Sequence, residues 1–375
     1  MMLWFNRKVV PYMRLNGAGR RQGCFSFLKY FIVVFVVSVI IFFSLFGVNI
    51  SLSVYYRNHA ETDGDGELYC KHTAPYPPTH YDITPGIQLD RDWNCYDFAA
   101  TLQNHPDIPR EDVIYHAYWR SDLRSIGEKQ VATLRSYFAT QNHTRSTLYL
   151  WSNGDLSDDP VLAPLRERFG ERFQLKLFDA KREAVGTPLE GSPNLEVQDH
   201  FAYLDGDLVR LLVLYRYGGV WFDMDSLFVR DMGPLLEHEW VGMWDCFLPE
   251  PYPFNGAFMR FRRSSPYLCE MLSEIAHGPK PRENSVDLGT YLYYRIYHRL
   301  LRHGVRPFKI IPWCFTDPSV CRPQNSMPSA FSEDAFDEAR LQQTFAFHWH
   351  NQWDKAPGRL FRFLVQLHDR VLDRA

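Results

Sequence analysis

The sequence contains no Cys-x-x-Cys pair, so it lacks the usual half-site of a structural zinc. It has no surplus of positive charge either. Lys and Arg number 41 against 44 Asp and Glu, a formal net charge of −3. Nucleic-acid binding calls for a concentrated basic face, so no nucleic-acid partner is expected. Charge is missing altogether between Lys29 and Arg57, and no convincing small-x-small cleavage site follows the apolar run. This argues against a cleaved leader and for a retained apolar span.

What is present begins with that span. Residues 31–48 are an unbroken apolar and small-residue run, and residues 30–54 extend it with few polar interruptions. About 20 such residues cross a bilayer as a helix. Arg7, Lys8, Arg14, Arg20, Arg21 and Lys29 precede the run, while only Arg57 follows before Glu61, Asp63, Asp65 and Glu67. The positive-inside rule then makes residues 1–29 a cytosolic tail, 30–54 a transmembrane signal anchor, and the remainder lumenal. Cysteine usage suits an oxidising lumen. Cys24 lies on the cytosolic side, leaving Cys70, Cys95, Cys246, Cys269, Cys314 and Cys321 beyond the span. Pairing sequence neighbours suggests Cys70–Cys95, Cys246–Cys269 and Cys314–Cys321, although spacing leaves other connectivities open. Asn142-His-Thr144 is an N-glycosylation acceptor.

Residues 55–110 read as a stem, rich in Pro, Asp, Gly and Thr, with Pro75, Pro77, Pro78 and Pro85 set against regular structure. Residues 111–355 then read as one α/β domain. Strands are expected over 113–119, 147–151 and 173–178, with helices over 127–141 and 160–169 between them. Strand, helix, strand, helix, strand is the pattern of a mostly parallel sheet flanked by helices, whose ligands bind outside the carboxyl ends of its strands. Further helices are expected over about 200–217, 264–276 and 287–300, and residues 356–375 form a closing amphipathic helix.

The centre of the domain is the stretch from Leu212 to Phe228. Apolar residues end in Tyr217-Gly218-Gly219, and a short strand, Val220-Trp221-Phe222, delivers Asp223 and Asp225. Strand alternation sends both carboxylates to one side, with Met224 opposite. Two carboxylates at a strand's end suit a hard divalent cation and the phosphate oxygens that share it. Upstream, Asp207 and Arg210 lie three apart within an apolar helix. Charges there are costly unless paired or placed against a ligand, so the two form a mutual salt bridge or a clamp on sugar hydroxyls and phosphate oxygens. Trp244-Asp245 and Asn255-Gly256 form a second cluster, the latter read as a tight turn or a sugar contact. His348 and His350 alternate in the aromatic segment 345–353, as ligands to the site or as an ordinary edge strand.

Three chemistries use an Asp-x-Asp pair. In phosphatases of the haloacid-dehalogenase type the motif opens its domain and a later Asp-Asp pair completes it; neither holds here. Calcium loops need a Gly and a distal Glu at set offsets, which residues 229–234 do not supply. Glycosyl transfer from a nucleotide sugar accounts for the Gly-Gly approach, the metal pair and the anchor together. A lumenal sugar-binding scaffold without turnover is the alternative from another class.

Asp207-x-x-Arg210, Tyr217-Gly-Gly-Val220 and Asp223-x-Asp225 resemble the signature of family 32 glycosyltransferases, type II membrane enzymes that include α-1,4-galactosyltransferases and α-1,6-mannosyltransferases. The blocks at 255–259 and 348–351 are similar to those of the galactosyltransferase branch, whereas Leu288-Gly289-Thr290 replaces the Thr-Gly-Pro expected in the acceptor region. The resemblance implies a GT-A fold, a nucleotide-sugar donor (UDP-sugar favoured, GDP-mannose the alternative), Mn²⁺ (or Mg²⁺) and retention of configuration. It also implies a glycan or glycolipid acceptor, Golgi residence and a possible complex with other glycosyltransferases. Carried across, Asp225 would ligate the cation and Asp223 the ribose or a metal-bound water. Asp207, Arg210, Tyr217, Gly218, Gly219 and Asp245 would hold the donor. His348 or His350 would join the metal or diphosphate, and Asn255 would touch the sugar.

Overall fold

A computed structural model of the chain describes residues 18–45, 66–72, 79, 82–83, 95–104, 112–196, 199–243, 254–319 and 326–374. The chain divides into two units, residues 1–54 and 55–375. The described residues of the first form the helix Ala18–Leu45, whose apolar side chains at Phe31, Phe35, Ile40 and Ile41 are exposed. Among the described residues no helix is long and apolar enough to cross a membrane. The span expected over 30–54 continues past Leu45 into residues outside the described set.

Among the described residues the second unit has nine strands. They are β1 (Val113–Trp119), β2 (Ser146–Ser152), β3 (Phe173–Leu177), β4 (Gly219–Phe222), β5 (Ser226–Phe228), β6 (Trp240–Met243), β7 (Phe254–Phe261), β8 (Lys309–Ile310) and β9 (Ala346–His348). Seven form one sheet in the order β3-β2-β1-β4-β7-β6-β8. Strands β1 to β4 run parallel, because the helices Glu128–Thr140 and Ala163–Phe169 carry the chain back between β1, β2 and β3. The chain then crosses to the other side of β1, and the helix Tyr203–Tyr217 leads into β4. That reversal makes the carboxyl ends of β1 and β4 the crevice where α/β sheets bind ligands. Strand β7 continues the sheet antiparallel to β4 and β6, and β5 pairs with β9 in a separate two-stranded ribbon.

Side chains alternate across β4 into two cores. Val220 and Phe222 pack with the helices Glu128–Thr140 and Arg359–Leu372 on one face, and Trp221 packs with Tyr203–Tyr217 and Pro266–His277 on the other. The glycines at its start are required by this geometry. Gly219 has φ +110°, and a Cβ there would lie 2.0 Å from the Ile114 carbonyl oxygen of β1. Gly218, at φ +69°, would meet the Arg263 amide nitrogen at 2.5 Å. Only glycine fits both the backbone and the space.

Four expectations need correction. The disulfides join Cys70 to Cys269 and Cys95 to Cys314, not sequence neighbours; Cys246 and Cys321 lie outside the described residues. Each bridge closes a long loop, across separations of 199 and 219 residues. Residues 55–110 are accordingly not all stem. Cys95, Tyr96, Ala99 and Leu102 enter the core, and the buried Glu270 carboxylate accepts backbone N–H bonds from Tyr69 and Cys70. Asn255-Gly256 lies inside β7 rather than in a tight turn, where pairing with β6 shifts register at Val241/Gly242. Finally, β4 ends at Phe222, so Asp223 and Asp225 stand in the turn to β5; Met224 still points into the core.

Candidate active site

The turn that carries the two aspartates is pinned from both sides. The Asp223 amide donates to the Ala257 carbonyl at 2.8 Å, and the Asp225 carbonyl accepts from the Trp349 amide at 2.9 Å. Strand β7 and the segment after β9 therefore fix where the carboxylates sit.

On one side is a row of alternating charge. Arg210 Nη1 lies 2.8 Å from Asp207 Oδ1, and Arg210 Nη2 donates to Asp223 Oδ1 at 3.0 Å and Oδ2 at 3.3 Å. The salt bridge expected within the helix thus exists, and the same guanidinium also reaches Asp223. The guanidinium lies over the Trp221 ring, 5.4 Å from its centroid, and Trp221 Nε1 donates to Asp223 Oδ1 at 2.6 Å. Arg210 also donates to Tyr293 Oη at 3.3 Å. Two glycines make room for this row. A Cβ on Gly256 would fall 1.9 Å from Arg210 Nη1, and one on Gly289 would fall 2.6 Å from Asp207 Oδ2. Gly289, at the divergent Leu288-Gly289-Thr290, is therefore the floor beneath Asp207. Burial pushes the Asp207 carboxyl up to about 7, Arg210 opposing that shift and Asp223 adding to it.

Asp225 has different partners. Its Oδ2 lies 3.2 Å from His348 Nε2 and accepts the Asn351 backbone N–H at 2.6 Å. Burial would raise this carboxyl, but the His348 imidazole and the Asn351 amide hold it below the usual carboxylate value. Behind His348 stands Asp317, fully buried, with His350 Nε2 at 2.7 Å from its Oδ1. Asn255 bridges the two, its Nδ2 3.1 Å from Asp317 Oδ2 and 3.3 Å from His348 Nδ1. The Ala257 amide donates to Asn255 Oδ1 at 2.9 Å, fixing which way the side-chain amide points. Burial would raise Asp317 too, but His350 and His348 bring it down to about 2.

The backbone here is strained and locked. His350 and Asn351 have φ of +52° and +54°, the left-handed region that side chains seldom adopt. Trp353 Nε1 donates to Asn351 Oδ1 at 2.9 Å, and Lys129 Nζ donates to the carbonyls of Gln352, Trp353 and Lys355 at 3.0, 2.6 and 2.5 Å. These contacts hold the left-handed turn, and with it the Asn351 amide on Asp225.

Asp207, Arg210, Asp223, Asp225, Asn255 and His348 are thus brought together. His350 faces Asp317 instead of the Asp-x-Asp pair. Tyr217, Gly218 and Gly219 lie at the opposite end of β4, where the Tyr217 hydroxyl donates to Glu183 at 2.8 Å. Asp245 lies outside the described residues. Sequence reasoning missed Asp317, Tyr293, Trp221 and Asn351. The last two adjoin the motif residues and had a signal in that adjacency; Asp317 and Tyr293 had none.

The donor set fits a divalent cation. Asp223, Asp225 and His348 each place a ligand atom within 4.8 Å of the others, and carboxylates with an imidazole suit Mn²⁺ or Mg²⁺. Asp223 is already neutralised by Arg210, which leaves Asp225 as the principal anionic ligand.

Residues 183–241 match the family model described as the glycosyltransferase sugar-binding region containing DXD motif. The match takes in Asp207, Arg210, Asp223 and Asp225. "Uncharacterized protein At4g19900" of Arabidopsis thaliana is 34% identical over 146 residues. That match covers 38% of this chain and 21% of the relative, so the chain spans about a fifth of its length. Among solved structures, the PaToxG glycosyltransferase superposes with a TM-score of 0.37 at 18% identity, over 56% of this chain and 74% of that one. The bifunctional glycosyltransferase WbbM gives 0.43 at 10%, over 72% and 53%. Mouse xyloside xylosyltransferase 1 gives 0.38 at 10%, over 64% and 98%. At such scores the structural likenesses carry no inference about donor or acceptor. The likeness to a glycosyltransferase sugar-binding region with a DXD motif rests on residues 183–241, the stretch that holds the buried row and both aspartates.

Proposed function

We propose that the protein moves a hexose from a nucleotide-sugar donor, UDP-linked in preference to GDP-linked, to a glycan or glycolipid acceptor. The transfer depends on Mn²⁺ or Mg²⁺ and retains anomeric configuration. The observation that carries this reading is the buried row Asp207–Arg210–Asp223 meeting the Asp225–His348 pair at the carboxyl end of β4. Asp207 accepts hydrogen bonds from donor-sugar hydroxyls, and Arg210, held by two carboxylates and Tyr293, keeps its position and charge throughout. Asp223, fixed by Trp221 and Arg210, orients the ribose side of the donor. Asp225 and His348 would hold the cation, which would supply charge neutralisation for a departing nucleoside diphosphate. An acceptor hydroxyl attacking from the face that the diphosphate leaves needs no protein nucleophile. Asn255 contributes by holding His348 and Asp317 in register.

The apolar run in residues 31–48, together with its charge asymmetry, supports a single-pass type II anchor and a lumenal, Golgi-facing body. The Asn-Gly-Ala block at 255–257 favours UDP over GDP. The test is a panel of UDP- and GDP-sugars read by thermal shift on the full chain in detergent micelles. One donor should raise Tm only with Mn²⁺ present, by about 2.7 kcal/mol of stabilisation at a hundredfold excess over Kd. A folded protein that no nucleotide sugar stabilises contradicts the reading.

A further inference from the structure

The site contains a second set of ligand atoms outside the Asp-x-Asp motif. Asp317, His348 and His350 place a carboxylate oxygen and two ring nitrogens within 4.8 Å of one another. His350 Nε2 is 2.7 Å and His348 Nδ1 3.7 Å from the Asp317 carboxylate, and the two imidazole rings lie 4.2 Å apart. The Asp317 side chain is 3% exposed and that of His350 is 27% exposed, and the Asn255 amide, 3.1 Å from Asp317 Oδ2 and 3.3 Å from His348 Nδ1, swings aside for an ion to enter. The frame of the set is rigid. The Cys95–Cys314 disulfide ties down the helix Trp313–Thr316 that leads into Asp317, and the left-handed turn at His350 is locked by Asn351 and Lys129. Two imidazoles and one carboxylate form a softer donor set than the paired carboxylates nearby, and suit Zn²⁺ better than Mn²⁺.

We propose that Asp317, His348 and His350 form a separate Zn²⁺ site that competes, through His348, with the cation at Asp223 and Asp225. The competition, though not the zinc site itself, rests on the proposed transferase reading. A neutral imidazole has one lone-pair nitrogen. His348 turns Nε2 toward Asp225 and Nδ1 toward Asp317, so it serves one ion at a time. Zinc on the Asp317 side leaves an Nε2–H that donates to Asp225 and cannot ligate a metal there. Zinc is thus an inhibitory ion that weakens the working cation without touching Asp223 or Asp225.

The test uses the full chain in detergent micelles. Zn²⁺ affinity is measured by competition with a chromophoric chelator, and Mn²⁺ binding by the electron paramagnetic resonance signal of the free ion. Wild type should bind one zinc in this set, and Asp223→Asn should keep it. His350→Gln loses a direct ligand and should weaken zinc by at least the roughly 10–100-fold that outer partners alone account for. Stoichiometric zinc should release bound Mn²⁺ from wild type but not from His350→Gln. Asp317→Asn serves as a second variant, with thermal unfolding to check that both fold. Zinc bound by both variants as by wild type overturns the site, and zinc and manganese bound independently overturn the competition. A protein that binds zinc through His350 but never binds Mn²⁺ supports the zinc site and contradicts the metal-dependent transferase reading, so the two failures are told apart.

Discussion

Asp223 and Asp225 are two residues apart and occupy opposite environments. Asp223 faces a guanidinium that is always charged and an indole N–H, and both its oxygens are taken by Arg210. Asp225 faces an imidazole and one backbone amide, partners that give way to a cation. The first half of the motif is held by a permanent cation, and on the proposed function the second is the exchangeable ligand. One Asp-x-Asp spelling therefore conceals two roles, set by the long-range neighbours each carboxylate meets.

The harshest way to break this contrast is to remove the fixed cation. Arg210→Ala leaves Asp207 and Asp223 buried without their counter-charge and should cost about 3–5 kcal/mol in denaturant unfolding. Arg210→Lys keeps the charge but not the fork, and should recover part of that loss. On the other side, Asp225→Asn should leave unfolding nearly unchanged while lowering turnover by about 10²–10³-fold. Equal loss of stability in the two would erase the distinction.

Smaller changes sharpen it. Gly256→Ala drives a methyl into Arg210 and should cost about 1–3 kcal/mol while raising the KM for donor. Gly219→Ala, strained at φ +110° and pressed on Ile114, should lower stability with no selective effect on donor KM. The gentlest probe is pH. Burial raises the Asp207 carboxyl from 3.8 to about 7, so the fold favours its neutral form. The stability this contributes is complete below pH 3.8 and is lost as pH rises through about 7. Asp207→Asn should flatten that decline, seen as a difference between variant and wild-type unfolding curves that grows in the variant's favour as pH rises across the window.

The parallel half of the sheet was legible because local patterning writes it: β-branched and aromatic strands alternate with helices of 3.6-residue period. Strands β6 and β8 were not called as such, since four and two residues leave little periodic signal, and β7, eight residues buried almost throughout, shows no alternation. Asp207, Arg210, Asp223, Asp225 and His348 were legible through spacing and resemblance. Asp317 was not, because it reaches the site only through tertiary packing, across 92 residues from Asp225 in sequence with no pattern around it. The disulfides failed for the same reason. Neighbouring cysteines are a default that the fold overrides when Cys70 and Cys95 dock on helices some 200 residues away. The Gly-Gly step was read as a donor contact, whereas its visible task is to bring β4 against β1.

The most direct test of the whole account is release of nucleoside diphosphate from the stabilising donor, measured with Mn²⁺ and with chelator for wild type, Asp223→Asn and Asp225→Asn. The account predicts release by wild type that chelator abolishes, a partial loss in Asp223→Asn, and near-complete loss in Asp225→Asn with its fold intact. Release that persists in chelator, or an Asp225→Asn variant as active as wild type, would contradict it.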